Sequence, residues 1–147
     1  MVRQATSDDA YQIARLRQAM WDEMNPQQPS NAAFREATFV YWYQTLEAGQ
    51  AAGWVAEVEG RTVGMALVLL HHHPPRPYGP IRRGYVTSVY VVPEHRRQGH
   101  GRALMEALIA WGREQGLQRL ELRSSDDGRA LYEAVGFESQ KLLMLYL

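Results

Sequence analysis

Two stretches of the sequence carry residue types that could do chemistry. The first, Arg96-Arg97-Gln98-Gly99-His100-Gly101, follows a run of β-branched and aromatic residues that ends at Pro93, and a helical pattern begins at Gly101. Glycines let a backbone approach a ligand closely, and the first N–H groups of a helix lack partners and carry partial positive charge. The stretch therefore predicts a strand, a glycine-rich loop and a helix start that binds an anion, with phosphate as the favoured group.

Neither common phosphate motif accounts for this loop. No Gly-Lys-Ser/Thr follows it, and it lacks the Gly-x-Gly-x-x-Gly fingerprint of dinucleotide sites. On spacing alone, a tight turn with a solvated basic face remains an alternative. The second stretch, Arg129 to Phe137, has a tyrosine at Tyr132, and a lone tyrosine in a short helix is usually a core or rim residue.

Composition indicates one ordinary globular domain, which we expect to span residues 1–147. The chain is 46% apolar and 22% charged, and its 16 basic and 16 acidic residues cancel, so net charge favours neither nucleic acid nor a membrane surface. The lack of cysteine excludes disulfides, thiolate metal sites and a cysteine nucleophile, and it fits a cytoplasmic protein. We expect no signal peptide, and no apolar run approaches the ~20 residues of a membrane helix.

The periodicity predicts the element order β-α-α-β-β-β-α-β-α-β. Expected helices cover residues 8–24, about 31–48, 101–115 and 128–135; expected strands cover 2–5, 54–58, 61–70, 85–92, 117–123 and 137–147. A β-α-β unit makes strands 85–92 and 117–123 parallel neighbours, and the hairpin before them is antiparallel. The result is a mixed α/β sheet with helices on its faces, and residues 71–84 form a long, functional loop.

Together, Val89 to Leu104 and Ala130-Leu131-Tyr132-Glu133-x-x-Gly136-Phe137 resemble two motifs of the GNAT family, the GCN5-related N-acetyltransferases. The first is similar to the family's strand, loop and helix signature, and the second to its C-terminal Tyr-x-x-x-Gly-Phe motif. The resemblance covers nearly the whole chain. It implies the acyl-CoA N-acyltransferase fold: a mixed, mostly antiparallel sheet of six to seven strands, with helices on both faces and strands 85–92 and 117–123 splayed apart.

The resemblance also implies acetyl-CoA as co-substrate. Its pyrophosphate would bind the amides of residues 97–102, and its pantetheine would run along residues 89–91 like an added strand. Tyr132 would protonate the leaving thiolate, a role that suits a phenol with a pKa near 10, and an N–H near Val91 would stabilise the oxyanion. The residues assigned to cofactor binding are Val89, Tyr90, Val91, Arg96, Arg97, Gln98, Gly99, His100, Gly101, Arg102, Ala103, Ser125, Asp127 and Tyr132.

Two positions depart from the family pattern. Where relatives often carry an asparagine before the tyrosine helix, this chain has Ser124-Ser125-Asp126-Asp127, so Ser125 or Asp127 would substitute. Strand 85–92 has no carboxylate to act as general base, and the base stays unassigned between a water chain to Glu23 and one of residues 71–73. Those three adjacent histidines point in different directions, so we expect no metal.

The family builds its acceptor pocket from the first two helices and the loop before strand 85–92. Here that implies Arg17, Trp42 and segment 71–84, and the main substrate candidates are Trp21, Glu23, Tyr43, His71, Tyr85 and Thr87. Aromatics with few charges suggest a small, partly apolar amine, acetylated by direct attack.

Two other functions stay open. One is a catalytically silent CoA-binding sensor or interaction module. The other is a nucleic-acid patch at Arg82-Arg83 and Arg96-Arg97, against which the zero net charge argues. The apolar segment Leu142 to Leu147 could support a homodimer.

Overall fold

The computed structural model describes residues 1–79 and 81–147. Pro80, one of four prolines in the long loop expected from the sequence, lies outside the described residues. The elements are β1 (Val2–Gln4), α1 (Ala10–Met24), α2 (Ala32–Glu47), β2 (Ala51–Val58), β3 (Arg61–His72), β4 (Arg82–Val91), α3 (His100–Glu114), β5 (Arg119–Leu122) and α4 (Arg129–Ala134). Short 3-10 turns cover Ser7–Asp9 and Pro93–His95.

Local chemistry accounts for several boundaries. Thr6 and Asp9 form a reciprocal capping box before α1, and the Asn31 side chain accepts a hydrogen bond from the Phe34 N–H at 3.0 Å to begin α2. Between β2 and β3, Glu59 (φ 50°) and Gly60 (φ 76°) both adopt the left-handed conformation. Two such residues form the turn whose twist matches a β-hairpin.

The sheet has the order β1-β2-β3-β4-β5. The first three pairings are antiparallel and β4 pairs with β5 in parallel, which confirms the mixed, mostly antiparallel sheet. Helices cover both faces. Ile13, Leu16 and Trp42 of α1 and α2 pack on one face, while Leu104 and Leu108 of α3 pack on the other.

The sheet has five strands rather than the expected six to seven, because residues 137–147 do not form a closing strand among the described residues. The apolar side chains at the C-terminus are exposed, from 49% for Met144 to complete exposure for Leu147. A strand is stabilised by a hydrogen-bonded neighbour and a buried face, and this segment has neither.

The loop between β3 and β4 is also shorter than expected. Residues predicted as loop continue the hairpin instead, since His71 pairs with Arg83 and His72 with Arg82. Antiparallel pairing satisfies the backbone groups of both arms, which favours this extension over a free loop. No helix in the described part of the chain is both long and apolar enough to cross a membrane.

Candidate active site

The central feature of the site is the gap where β4 and β5 part. Their pairing runs from Arg83–Arg119 to Val86–Leu122, whereas β4 stays paired with β3 as far as Val91. The Val92 N–H donates to the Val63 carbonyl at 2.9 Å. Because antiparallel pairing alternates along a strand, the backbone groups of Val89 and Val91 point away from β3, into the gap.

A β-bulge lies at the same place. Leu67 pairs with Ser88, but the next residue of β3, Val68, pairs with Val86, so Thr87 is an extra residue in β4. The bulge changes which face the side chains occupy. Val86 packs in the α3 core, while Thr87 and Ser88 both lie on the face covered by α1 and α2.

Beyond the gap, the glycine-rich loop leads into α3. Gly99 (φ 85°) precedes the first helical residue, His100, and provides no side-chain cap. Arg97 is also left-handed, with φ 61°. Among the described residues, the N–H groups of residues 97–102 have no hydrogen-bond acceptor. A side chain added at Gly99 would meet nothing within 4 Å, so the space in front of these amides is open and suits an anion.

Several side chains assigned to the cofactor by resemblance lie around this loop. Arg97 and Gln98 are exposed, Arg102 forms an exposed ion pair with Glu106 at 2.8 Å, and the His100 ring lies 6.2 Å from that of His95. Ala103 is half-buried, and its N–H donates to the Gly99 carbonyl at 3.0 Å.

The structure turns Arg96 and Tyr90 away from the gap. The Arg96 guanidinium donates to both Glu23 carboxylate oxygens, at 2.7 and 2.8 Å, and to the Val91 carbonyl at 2.8 Å. The Tyr90 hydroxyl donates to Glu23 at 2.9 Å, and Arg96 lies over its ring. These side chains therefore connect the end of α1 to the loop instead of facing the gap.

The cluster has clear electrostatic consequences. The hydrogen bond from Arg96 lowers the pKa of Glu23 below its ordinary value, so this carboxylate is a weak proton acceptor. Burial, reinforced by the hydrogen bond to Glu23, raises the pKa of Tyr90 to about 12.

Tyr132 lies in α4 with its ring half-buried. The ring packs edge-on against Phe137, with 6.0 Å between centroids, in the apolar cluster that includes Val89 and Leu122. Burial raises the pKa of Tyr132 above its ordinary value. Its hydroxyl has no hydrogen-bond partner among residues 1–79 and 81–147, which leaves it available to a ligand.

The start of α4 is held by short-range contacts. The Ser125 hydroxyl accepts a hydrogen bond from the Gly128 N–H at 3.2 Å, whereas Asp127 is exposed. A Cβ added at Gly101 would lie 3.3 Å from a methyl of Leu131, so the absence of a side chain there lets α3 and α4 approach closely. This approach places the tyrosine helix beside the anion-binding loop.

A cavity of about 320 Å³ lies on the α1 and α2 face of β4. Arg17, Trp42 and Thr87, all expected near the acceptor, contribute to its walls. The sequence did not single out the other lining residues. Three of them, Phe34, Thr38 and Tyr41, lie at helical spacing on the same side of α2 as Trp42. The complete lining consists of Arg17, Phe34, Ala37, Thr38, Tyr41, Trp42, Leu69 and Thr87.

The remaining acceptor candidates are not among the residues that line this cavity. The Trp21 indole lies 6.0 Å from Phe34 at the rim, and its N–H donates to the Gln28 carbonyl at 3.3 Å. His71 and Tyr85 pack edge-to-face at 6.4 Å. Tyr43 is exposed and packs against Phe39, away from the lining residues. In the described ranges, no group of three histidine or acidic side chains is placed to hold a metal.

Three of the four arginines that suggested a nucleic-acid patch have partners within the chain. Arg82 donates to the Gln115 carbonyl at 2.6 Å, and Arg83 pairs with Glu121 at 2.9 Å. Arg96 pairs with Glu23, as described above. The structural basis for a free basic patch is therefore weak.

The splayed parallel strands, the open helix start and the tyrosine helix together define the acyl-CoA N-acyltransferase type of α/β fold. The chain belongs to the acetyltransferase (GNAT) family, whose model matches residues 13–137. It is 31% identical to an aminoglycoside N(6′)-acetyltransferase type 1 from Stenotrophomonas maltophilia, over 99% of this chain and 90% of the relative.

Solved structures show the same fold. A predicted acetyltransferase with acetyl-CoA from Clostridium acetobutylicum matches with a TM-score of 0.85 and 22% identity, over 99% of this chain and 95% of the other. A GCN5-related N-acetyltransferase from Ralstonia eutropha matches with a TM-score of 0.83 and 27% identity, over 100% and 97%.

Proposed function

We propose that this protein is an acetyl-CoA-dependent N-acetyltransferase that acetylates a primary amine of a small molecule by direct attack. The observation that carries the proposal is the gap between β4 and β5, which has unpaired strand backbone on one side, the open amides of α3 at its end and Tyr132 in the adjoining cluster. The solved neighbour with acetyl-CoA supports the choice of ligand. The cysteine-free sequence supports the cytoplasm as the location.

In this proposal, the cofactor spans the gap and the loop. Its pyrophosphate accepts hydrogen bonds from the amides of residues 97–102, where the helix dipole favours negative charge. Its pantetheine amides pair with the free backbone groups of Val89, which leaves the N–H of Val91 for the thioester. The Val91 carbonyl is already occupied by Arg96, which limits the number of pantetheine bonds at this end of the strand.

The reaction itself is an acyl transfer. The amine lone pair attacks the thioester carbonyl carbon, a C–N bond forms, and the C–S bond then breaks to release CoA. The Val91 N–H stabilises the oxyanion, and Tyr132 donates its proton to the departing sulfur. Because burial keeps the pKa of Tyr132 above its ordinary value, the phenol is protonated at neutral pH. The amine loses its own proton to solvent, and this scheme requires no metal.

The acceptor would enter from the opposite side of β4, through the cavity between α1 and α2. Its volume of about 320 Å³ is at the small end of the range for small-molecule sites, which favours a small acceptor. The relative named for aminoglycosides acts on a small molecule, which also supports this choice over a protein acceptor.

A catalytically silent CoA-binding module is the second candidate. The observation that favours it is the absence of a carboxylate on β4, whose residues on the acceptor face are Tyr85, Thr87, Ser88 and Tyr90. Release of free CoA thiol over a panel of amines distinguishes the two functions, since only an enzyme turns over.

Calorimetric titration with acetyl-CoA tests the shared step. We expect the natural protein to bind and the double variant Arg97→Ala/Gly99→Ala to bind at least tenfold more weakly. The matched control is Gly60→Ala/Arg61→Ala at the hairpin turn, which also replaces a left-handed glycine and an exposed arginine. Failure of the natural protein to bind acetyl-CoA would refute both candidate functions.

A further inference from the structure

Arg17 is a half-buried cation without a carboxylate partner. It extends from α1, and one of its nitrogens donates to the buried Ser88 hydroxyl. No ion pair forms with Arg17 among residues 1–79 and 81–147. Burial lowers the pKa of Arg17, with no carboxylate to oppose the effect. A buried charge is costly unless it is paired, so a missing partner at this position requires an explanation.

Other arginines in the protein show the usual arrangement. Arg3 pairs with Asp9 at 2.8 Å, Arg83 with Glu121 at 2.9 Å, and Arg96 with Glu23 at 2.7 Å. Their side chains are 29% to 40% exposed, and each has a carboxylate partner. Arg17 is also shielded from solvent, but the described residues provide no carboxylate for it.

The nearby acidic residues cannot serve as that anion. On α1, the Asp22 carboxylate accepts a hydrogen bond from the Ser30 N–H at 2.6 Å, and Glu23 is held by Arg96 and Tyr90. On α2, Glu36 is exposed and is not part of the cavity wall. Between Tyr85 and Tyr90, the face of β4 toward Arg17 carries only hydroxyl and phenol groups.

The Arg17 side chain forms part of the wall of the acceptor cavity. It is the one charged residue in the described lining, and the other residues are aromatic, aliphatic or hydroxyl-bearing. A single cation in a mostly apolar cavity of this size suits a single negative charge on a small ligand. A phosphate dianion would need more positive charge than one guanidinium, already donating to Ser88, can supply.

We propose that the acceptor amine also carries a carboxylate, which binds the guanidinium of Arg17 inside this cavity. This inference rests on the proposed acetyl transfer and names its substrate class: a small amino acid-like molecule with an apolar or aromatic body. Phe34, Tyr41 and Trp42 provide the surface for that body. A polycationic acceptor such as an aminoglycoside would instead place ammonium groups against Arg17, so the acceptor differs in charge from that of the named relative.

Matched pairs of acceptors test the inference. Each pair contains an amine with a carboxylate and the same amine without it: L-phenylalanine and phenethylamine, L-tryptophan and tryptamine, aminovalerate and butylamine. Kanamycin serves as the polycationic probe. We expect at least one carboxylate-bearing amine to exceed its partner by about 10- to 100-fold in kcat/KM, the range of a charged hydrogen bond.

The variant Arg17→Gln removes the charge while its amide can still donate to Ser88. It should reduce the preference to less than about threefold and leave acetyl-CoA affinity unchanged. The control Arg15→Gln changes an exposed arginine on the same helix, which bonds Gln12 and the Thr62 carbonyl, and it should preserve the preference. A second readout is calorimetric binding of the N-acetylated products to CoA-saturated protein, which requires no turnover.

The outcomes separate the two proposals. Three results would overturn the inference and leave acetyl transfer standing. They are acetylation that favours no carboxylate-bearing amine, acetylation that favours kanamycin, and a preference for the carboxylate that persists in Arg17→Gln. Product binding that depends on both the carboxylate and Arg17, without turnover, supports the carboxylate site and overturns the reaction. An absence of both turnover and product binding overturns both.

Discussion

Replacing Tyr132 by phenylalanine removes a single oxygen from the site. The ring keeps its edge-on contact with Phe137 and its place in the apolar cluster. The hydroxyl has no hydrogen-bond partner within the described residues, so the variant loses no protein hydrogen bond. We therefore expect the free energy of unfolding to change by less than about 0.5 kcal/mol, as for substitutions away from polar networks.

The effect on turnover should be much larger. A positioned general acid contributes about 10²- to 10⁴-fold, and a thiolate is a good leaving group, so we expect the lower end of that range. A loss of about 10²-fold corresponds to about 2.7 kcal/mol in the activation free energy. Because the proton is transferred in the transition state, kcat and kcat/KM should fall together while KM stays unchanged.

The pH profile gives an independent check. Burial raises the folded pKa of Tyr132, so the acid form predominates at every pH below the ordinary phenol value of 10. The natural enzyme should therefore show no loss of rate from this group in the neutral range. Any decline that reflects Tyr132 should begin above pH 10 and be absent from the phenylalanine variant.

The assay is the release of CoA thiol, read with a chromogenic disulfide. The protein has no cysteine, so its own side chains add no background. The matched control is Tyr11→Phe, an exposed tyrosine on α1 outside the site. If Tyr132→Phe retains kcat within about threefold of the natural enzyme, the acid role assigned to this phenol is wrong.

Three further predictions test other parts of the structure. Glu23→Gln should cost less than about 1 kcal/mol at pH 7, because the ion pair with Arg96 is largely exposed. Since folding lowers the carboxyl pKa below its ordinary value of 4.5, this difference should begin to shrink as the pH falls below 4.5 and should vanish below the folded pKa; a difference that does not shrink on acidification would contradict the ion-pair account. Gly84→Ala should lower the free energy of unfolding by about 1–3 kcal/mol in denaturant titration, because a Cβ there would lie 2.6 and 2.9 Å from methyl groups of β3 and β5. The control Gly112→Ala, whose Cβ has ordinary contacts from 3.5 Å outward, should cause no loss of stability, and equal losses in the two variants would refute the packing argument. We expect the natural protein to sediment as a homodimer, since the apolar segment 142–147 is exposed and β5 has a neighbour on one edge only. Deleting residues 142–147 should give a monomer in sedimentation velocity, and a monomeric natural protein would exclude the dimer.

Patterns that depend on near neighbours in sequence were read correctly from the sequence. Asn31 begins α2 and Gly60 closes the hairpin because capping and left-handed φ values involve only a few adjacent residues. The β-α-β unit that ends in β5 followed from handedness and short connections. The glycine-rich loop and the Tyr132 motif indicated the family, which the comparisons confirm.

The tertiary structure decided how distant residues meet. Glu23 and Arg96 are 73 positions apart and Arg17 and Ser88 are 71 apart, and no local rule pairs them. The bulge at Thr87 depends on the register between β3 and β4, which is set by packing on both faces of the sheet. It places Thr87 and Ser88 on the same face and thereby forms the wall of the acceptor cavity.

The same distinction explains why the expected closing strand did not form. Residues 137–147 have the composition of a strand, but a strand exists only where another strand can pair with it. The sequence by itself thus determined the helices, the hairpin and the glycine-rich loop, because these follow from local backbone chemistry, and its two motifs indicated the family. The unpaired guanidinium of Arg17, and with it the charge that we propose for the acceptor, was decided by the tertiary structure, because burial and the absence of a partner are properties of the folded chain.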